Sequence, residues 1–376
     1  MRPCGRVDVP WSLSESRSLQ VRVMQRWLGR SFVAALALGG WGLVSTVAPH
    51  QEALPGPAPV HADAATPLCV PEKWEHTLLF TGDVMLARAV GAFMQARNDW
   101  TLPFQEIAET LRDADLRFCN LECPVSDRGH NLHHLYSFRA DPRVVEGLKA
   151  AGFNVASQAN NHSYDWGPEA LLDSLERLRA ADIRPVGAGQ NSMAAHYPEV
   201  VKVDGLRIAF LAYVDIDPKE ATAGVDRPGV AWLEPAQVMA DIRFARPFAD
   251  LVIVCPHWGV EYALKPARRQ VQLAHLMIDA GADLVVGSHP HVVQPLEPYH
   301  DRWIAYSLGN FVFDQMDPAT HRGLMLKVTV QGKQIANVLP IPIHIKSNFQ
   351  AVVAPPAGGP PKPTLAEHKT PVLRAQ

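Results

Sequence analysis

The chain has 376 residues, of which 47% are hydrophobic and 19% are charged, and its formal net charge is −3. This composition is typical of a globular protein with enough apolar residues for one large core or two smaller ones. A slightly acidic chain without a basic stripe lacks the electrostatic footprint of a nucleic-acid-binding protein, so the composition argues against nucleic acid as a partner.

The first 70 residues have the pattern of an export leader. Residues 32–48 are apolar, follow three arginines and precede a Pro- and Ala-rich stretch with a small-residue cleavage site at 62–64. The pattern favours a cleaved signal peptide, and an uncleaved anchor stays open because about 17 apolar residues is the lower limit for crossing a bilayer. We therefore expect an exported protein, periplasmic or otherwise extracytoplasmic, either free or anchored through residues 32–48.

Residues 74–346 contain short apolar runs that alternate with amphipathic segments, which is the pattern of an α/β fold. The predicted strands are 76–83, 115–122, 153–161, 207–214, 250–258, 283–291 and 303–311. The clearest predicted helices are 141–152, 168–182 and 267–282. A later stretch, residues 323–343, has hairpin spacing around Gly332 and is expected to close the sheet with antiparallel strands.

The last 30 residues are predicted to lie outside this domain. Residues 347–376 are rich in Pro and Gly and poor in large apolar side chains, so they cannot repay the entropy cost of ordering. We expect a disordered tail there and a single working domain over 74–346.

Polar side chains collect at the C-terminal ends of the predicted strands. In a largely parallel sheet these ends share one edge, which is where open α/β sheets bind ligands. Taken singly, each residue could simply cap a helix or lie in a loop, but together they predict a site. In chain order they are Asp83, Asn120, Glu122, Asn160, Asn161, His162, His257, His289, His291, Asn310 and Asp314.

The donor types in this set indicate a metal centre. His289 and His291 are the clearest pair, because residues i and i+2 of an extended segment face the same side and both rings can reach one centre. Imidazole nitrogen combined with carboxylate and amide oxygen suits manganese, zinc or iron better than calcium or magnesium. Two such ions bridged by a carboxylate activate water in two-metal hydrolases. The predicted ligands are Asp83, Glu122, Asn161, His257, His289 and His291.

Six sequence blocks resemble the signature of the CapA family, the capsule or poly-γ-glutamate synthesis proteins. The blocks are "FTGDVMLAR", "NLECPVS", "ANNHSYDWG", "HWGVEY", "GSHPHVVQPLE" and "YSLGNFVFDQ", which together run from about residue 78 to residue 315. That family is similar to the calcineurin-like metallophosphoesterases. The resemblance implies a four-layer αββα sandwich, with two sheets between helices and a dimetal site at the strand ends.

The resemblance also implies roles for individual residues. Asp83 matches the first aspartate ligand, Glu122 stands at the bridging position, and Asn161 and His162 match an Asn-His pair. In that pair the asparagine binds metal and the histidine serves as general acid or stabilises the transition state. His257, then His289 with His291, match the remaining ligands. The residues expected to contact substrate or orient ligands are Arg88, Asn120, Asn160, Asp165, Asn310 and Asp314.

One position departs from the pattern of the similar superfamily. Its first block reads Asp-x-His, whereas here Asp83 is followed by Val84 and Met85. The missing imidazole predicts that one metal position is weak or empty, with Met85 packing in the core. Arg88, just beyond, could bind an anionic group of the substrate through its guanidinium fork, or could simply lie at the surface.

Two functions of different classes are compatible with these residues. The first is a metal-dependent hydrolase of the cell envelope that cuts a phosphoester or an amide, with His162 protonating the leaving group. The second is a non-catalytic component that uses the same pocket in capsule or poly-γ-glutamate synthesis and export. The expected partners are an anionic polymer or a small envelope substrate and, for the second function, membrane-bound synthesis or export subunits.

Overall fold

The computed structural model describes residues 74–216 and 219–355, in which helices flank two large β-sheets. The strands are β1 (Glu75–Val84), β2 (Leu116–Leu121), β3 (Val155–Ser157), β4 (Arg184–Val186), β5 (Ala188–Gly189), β6 (Glu199–Val203), β7 (Leu206–Val214), β8 (Gly229–Val230), β9 (Leu251–His257), β10 (Leu284–Val286), β11 (Leu296–Tyr299), β12 (Arg302–Ala305), β13 (Asn310–Val312), β14 (Arg322–Gln331), β15 (Gln334–Ile345) and β16 (Ala351–Val353). The α-helices are α1 (Arg88–Arg97), α2 (Ala108–Arg112), α3 (Val144–Ala150), α4 (Gly167–Ala180), α5 (Ser192–His196), α6 (Pro235–Ala245) and α7 (Arg268–Asp279).

The first sheet, which we call sheet I, has the strand order β16-β15-β14-β1-β2-β3-β4, and β13 also pairs with β1. Strands β1 to β4 are parallel, and β14, β15 and β16 extend the sheet in antiparallel fashion. The second, sheet II, has the order β11-β12-β10-β9-β7-β6, with a parallel centre and antiparallel edge strands. Each sheet therefore gathers the C-terminal ends of several parallel strands at one edge.

The buried side chains fall into layers that fit the predicted αββα sandwich. Between the sheets, alternate residues of each strand pack face to face, and the Phe118 ring of sheet I stacks on Phe210 of sheet II with centroids 5.8 Å apart. Val90 and Leu148, from α1 and α3, cover the other face of sheet I, while Leu273 of α7, with α6, covers the outer face of sheet II. Helix, sheet, sheet and helix follow in that order, and the prediction of fold class is confirmed.

All seven predicted strands and all three predicted helices are present, but the seventh strand is divided. Residues 302–305 form β12 in sheet II, and the chain then crosses to sheet I, where residues 310–312 pair with β1 as β13. Gly309, with φ +67°, makes the crossing possible, and the Asp83 amide donates to its carbonyl at 3.0 Å. A Cβ on Gly82 would lie 1.8 Å from the same carbonyl oxygen, so only glycine permits this contact beside Asp83.

The domain extends beyond the predicted boundary at residue 346. Strand β16 pairs with β15, Ala351 is fully buried, and the Gln350 side chain donates to the Leu102 carbonyl. The Pro- and Gly-rich composition of the residues that follow hid this strand, which is only three residues long. Within the described residues no helix has the length and apolarity needed to cross a bilayer. The predicted leader, residues 1–70, and the rest of the predicted tail lie outside the described residues.

The predicted hairpin at Gly332 is confirmed, and its turn allows a stability test. Gly332 has φ +58°, and a Cβ there would meet only the Trp74 ring at ordinary contact distance, 3.7 Å. Gly332→Ala is therefore expected to lower the free energy of unfolding by about 1–2 kcal/mol through backbone strain alone. Gly332→Asn should cost less, because asparagine tolerates this conformation. Urea unfolding measures both, and equal losses would contradict the explanation by strain.

Candidate metal centre

Polar side chains from the strand ends of both sheets meet in one buried cluster. From sheet I come Asp83 at the end of β1, Glu122 just after β2, and Asn161 and His162 in the loop that follows β3. From sheet II come His257 at the end of β9 and the loop after β10, which carries His289 and His291. The argument from a single sheet edge was wrong in this respect: the site lies where the edges of two sheets meet.

Two groups of side chains in this cluster could each hold a metal ion. Asp83, Glu122 and His257 form the first group, and one potential ligand atom from each lies within 4.8 Å of the others. The second group, with the same spacing, consists of Glu261, His289 and His291. The groups adjoin, because His291 Nδ1 lies 3.3 Å from Asp83 Oδ2 and its Nε2 lies 3.7 Å from Glu122 Oε1.

Two buried polar atoms in the cluster have no hydrogen-bond partner. Glu122 Oε1 and His289 Nδ1 are among the four such side-chain atoms in the described part of the chain. Leaving a buried donor or acceptor without a partner costs about 1–3 kcal/mol, more for a charged group, so orphaned atoms of this kind require an explanation. A carboxylate oxygen in the first group and an imidazole nitrogen in the second are both metal donors. The residues present therefore fit divalent ions of the borderline class.

The two histidines of the second group do not lie on an extended strand. Strand β10 ends at Val286, and His289 and His291 have φ of +98° and +58° on either side of Pro290. The prediction that both rings face one side because of strand alternation was wrong, although the rings do lie near each other, with centroids 5.9 Å apart. Non-glycine residues in this region of backbone space store strain, which clusters at functional sites.

Burial and charge set the protonation of the cluster in opposite directions. Burial lowers the pKa of His289 to about 3 and that of His257 well below its ordinary value, and the neighbouring histidines add to both shifts. Burial also acts on His291, but the carboxylates of Glu122 and Asp83 outweigh it and raise its pKa to about 9. Burial raises the pKa of Glu122 as well. At neutral pH the metal-free cluster thus holds at least one proton, shared by His291 and Glu122.

This proton predicts how metal binding depends on pH. A ligand must lose its proton to bind, so binding at pH 7 should release at least about one proton, and affinity should rise about tenfold per pH unit. Because the pKa of His291 is raised to about 9, the dependence should weaken as the pH approaches 9. Titration calorimetry in buffers of different ionisation enthalpy measures the release. His275→Gln, which removes an imidazole paired with Glu297, is the control, and zero proton release by wild type would contradict the prediction.

His162 faces the cluster with its ring held in place. Its Nδ1 lies 2.8 Å from Asp165 Oδ2 and its Nε2 lies 3.9 Å from Glu122 Oε1. The Phe138 ring stacks on the imidazole with centroids 3.9 Å apart. Since Asp165 accepts the Nδ1 proton, Nε2 is the nitrogen directed toward the candidate ligands.

Four asparagines link the cluster together. Asn120 donates to Asp83 Oδ1 at 2.8 Å, and Asn160 donates to Asn120 Oδ1 at 3.3 Å. Asn161 Oδ1 lies 2.9 Å from His257 Nε2, and Asn310 Oδ1 lies 2.9 Å from His291 Nδ1. Asn120, Asn160 and Asn310 are thus placed to orient other side chains, whereas Asn161 borders the first group as a candidate ligand.

Arg88 and Asp314 bind each other beside the cluster. The guanidinium of Arg88 forms a bidentate ion pair with Asp314, whose side chain also accepts the Ala89 amide. The guanidinium carbon lies 4.7 Å above the Phe138 ring, on which His162 stacks. The idea that Arg88 offers a free fork to an anionic substrate is therefore wrong for this structure, because Asp314 occupies that fork.

Two further residues complete the description of the ligand groups. Met85 is fully buried in the helix-side core of sheet I, and its sulfur accepts the Ala87 amide at 3.1 Å, as expected for a residue that packs in the core. Glu261, in the loop after β9, was missed by sequence reasoning because it is exposed and lies beyond the strand end. Its position in the block "HWGVEY", four residues after His257, was the available signal.

The chain is similar to proteins of bacterial capsule synthesis. Residues 77–315 match the family model described as "Bacterial capsule synthesis protein PGA_cap". The chain is 34% identical over 296 residues to "Capsule biosynthesis protein CapA" of Bacillus anthracis, covering 75% of this chain and 71% of that protein. It is 36% identical over 270 residues to "PGA biosynthesis protein CapA" of Bacillus subtilis, covering 70% and 71%.

One solved structure aligns with most of the chain. The calcineurin-like phosphoesterase YfkN from Bacillus subtilis aligns with a TM-score of 0.45 at 13% sequence identity, covering 73% of this chain and 92% of that chain.

Proposed function

The chain belongs to the family of bacterial capsule synthesis proteins PGA_cap, and on that premise we propose that it is a metal-dependent hydrolase of the cell envelope. The bond that it cuts is a phosphoester or an amide in capsule or poly-γ-glutamate metabolism. The observation that carries the proposal is the position of His162, with its Nε2 3.9 Å from Glu122, beside two adjoining groups of candidate metal ligands.

The chemistry divides between the ligand groups and the chain's own proton donor. Asp83, Glu122 and His257 would hold one ion, and Glu261, His289 and His291 the other, with Asn161 adjoining the first. Bound divalent ions would supply Lewis-acid chemistry, polarising the bond to be cut and activating water. His162 would keep a proton on Nδ1 through Asp165 and deliver a second proton from Nε2 to the leaving group.

We also propose that the substrate is anionic and lies outside the cytoplasm. The names of the two relatives concern capsule and PGA biosynthesis, which supports an anionic envelope polymer or one of its small precursors. The apolar residues 32–48, the preceding arginines and the small-residue site at 62–64 support export. Cell fractionation of a tagged chain with and without residues 1–64 tests the location, and a full-length chain found in the cytosol would contradict export.

Hydrolysis is tested with chromogenic substrates of both bond types. The purified chain is loaded with manganese, zinc or iron(II) and assayed on p-nitrophenyl phosphate, bis(p-nitrophenyl) phosphate and γ-glutamyl-p-nitroanilide. We expect metal-dependent turnover of one bond type, abolished by a chelator. If no metal supports turnover of any of these substrates, and the metal-loaded protein also leaves the chain length of added poly-γ-glutamate unchanged, the hydrolase proposal fails. A binding role in polymer synthesis or export is then favoured.

A further inference from the structure

The carboxylate of Asp165 is fully buried and receives donors from three directions. His162 Nδ1 lies 2.8 Å from Oδ2, and the Phe138 amide donates to the same oxygen at 2.7 Å. The other oxygen, Oδ1, lies 3.2 Å from Nδ1 of His134, and no other hydrogen bond to it is seen in the described residues. His134 therefore satisfies the half of the carboxylate that His162 leaves free.

His134 lies in the long connection between β2 and α3, far from His162 in sequence but close to it in space. Its side chain is about one third exposed, with a relative accessibility of 30%, whereas that of Asp165 has none. The same connection supplies Phe138, which stacks on His162 and donates its amide to Asp165. One loop thus contacts both the His162 ring and the Asp165 carboxylate that orients this ring.

We propose that His134 is a positioning residue for catalysis: it fixes the Asp165 carboxylate, and through it the ring orientation and Nδ1 proton of His162. The inference rests on the proposed function, in which His162 Nε2 serves the leaving group. A carboxylate anchored on both oxygens cannot rotate, so the His162 ring keeps Nε2 directed toward Glu122. Without His134, Oδ1 would be a buried acceptor with no partner in the described fold, and Asp165 could turn toward other donors.

The test compares variants that keep or remove the donor at position 134. His134→Asn retains a side-chain N–H, whereas His134→Phe fills the space without a donor. His133→Asn is the control: the imidazole of this neighbouring residue is exposed and makes no described hydrogen bond to Asp165, and asparagine tolerates the φ of +61° at this position. On the metal-loaded protein we expect His134→Phe to lower kcat about tenfold with KM unchanged. A loss of this size is typical when a residue that orients a functional side chain is removed. His134→Asn should recover most of the loss.

A second readout does not depend on turnover. The His162 Nδ1–H held by Asp165 should give a downfield proton resonance, assigned by its loss in His162→Gln, that exchanges slowly with water. We expect His134→Phe to speed this exchange at least about tenfold, and His133→Asn to leave it as in wild type. Unchanged exchange in a folded His134→Phe protein would overturn the inference, whether or not the protein is active. Failure of all hydrolysis assays with faster exchange would instead remove the proposed function and leave the positioning contact in place.

Discussion

His162→Gln is expected to lower kcat by about 100- to 10,000-fold, which is the range that a positioned proton donor contributes. Nδ1 of this histidine is committed to Asp165, so Nε2 is the only ring nitrogen that can serve a leaving group. A carboxamide fills similar space but cannot give up a proton. The measurement is kcat and KM on the best of the substrates named above, with metal content determined on the same sample.

The control for this experiment is His275→Gln, because His275 pairs with Glu297 and stacks on Tyr299, with no described contact to the candidate ligands. It should retain wild-type kcat. If His162→Gln also retains wild-type kcat with full metal content, His162 is not the proton donor, and the leaving group must take its proton from water.

The second large effect expected is the selective loss of one metal ion. Wild type should bind about two divalent ions per chain, as two-metal sites do. His257→Ala removes a ligand of the first group and His289→Ala one of the second, so each variant should retain about one ion. Loss of a direct ligand should weaken affinity by more than about 100-fold, because even residues that orient ligands are worth 10- to 100-fold. Elemental analysis after gel filtration gives the stoichiometry.

A paired comparison decides which oxygen donors bind metal. Glu261→Gln should behave like His289→Ala if Glu261 belongs to the second group, and Asn161→Ala should lower metal content if its amide is a ligand of the first. A wild type with one ion, lost in His257→Ala and kept in His289→Ala, would mean that the second group is empty. The reverse outcome, one ion lost in His289→Ala and kept in His257→Ala, would agree with the missing imidazole at Met85, because Met85 follows Asp83 of the first group.

The sequence predicted most residues of the candidate site because strand ends carry a strong signal. Asp83, Glu122 and His257 each end or follow a buried apolar run, and within each sheet the parallel strands bring such ends to one edge; the candidate site lies where the edges of the two sheets meet. The layering into two sheets came from the resemblance of the six blocks and is confirmed by the structure. Metal binding by Asp83, Glu122 and His257 and proton transfer by His162 stay predictions, which the variants above address.

What the sequence could not supply was the backbone path between strands. The positive φ of His289 and His291 depends on a turn around Pro290, and alternation along a strand does not apply to it. The division of the seventh strand depends on Gly309, which looks like any glycine until a neighbouring sheet is present to receive the chain. Likewise, nothing local to Arg88 indicates that Asp314, over 200 residues away, fills its guanidinium fork.

The division of the first ligand group between the sheets has a consequence for the order of events in folding. Asp83 and Glu122 belong to one sheet and His257 to the other, so a folding intermediate with undocked sheets has no complete site. An ion bound at this site would therefore stabilise only the state in which the two sheets have docked. At a free metal concentration 100 times the Kd, the ion would add about 2.7 kcal/mol to the free energy of unfolding. The free metal concentration around the protein would then affect how much of the protein resists proteolysis, in addition to how much of it is active.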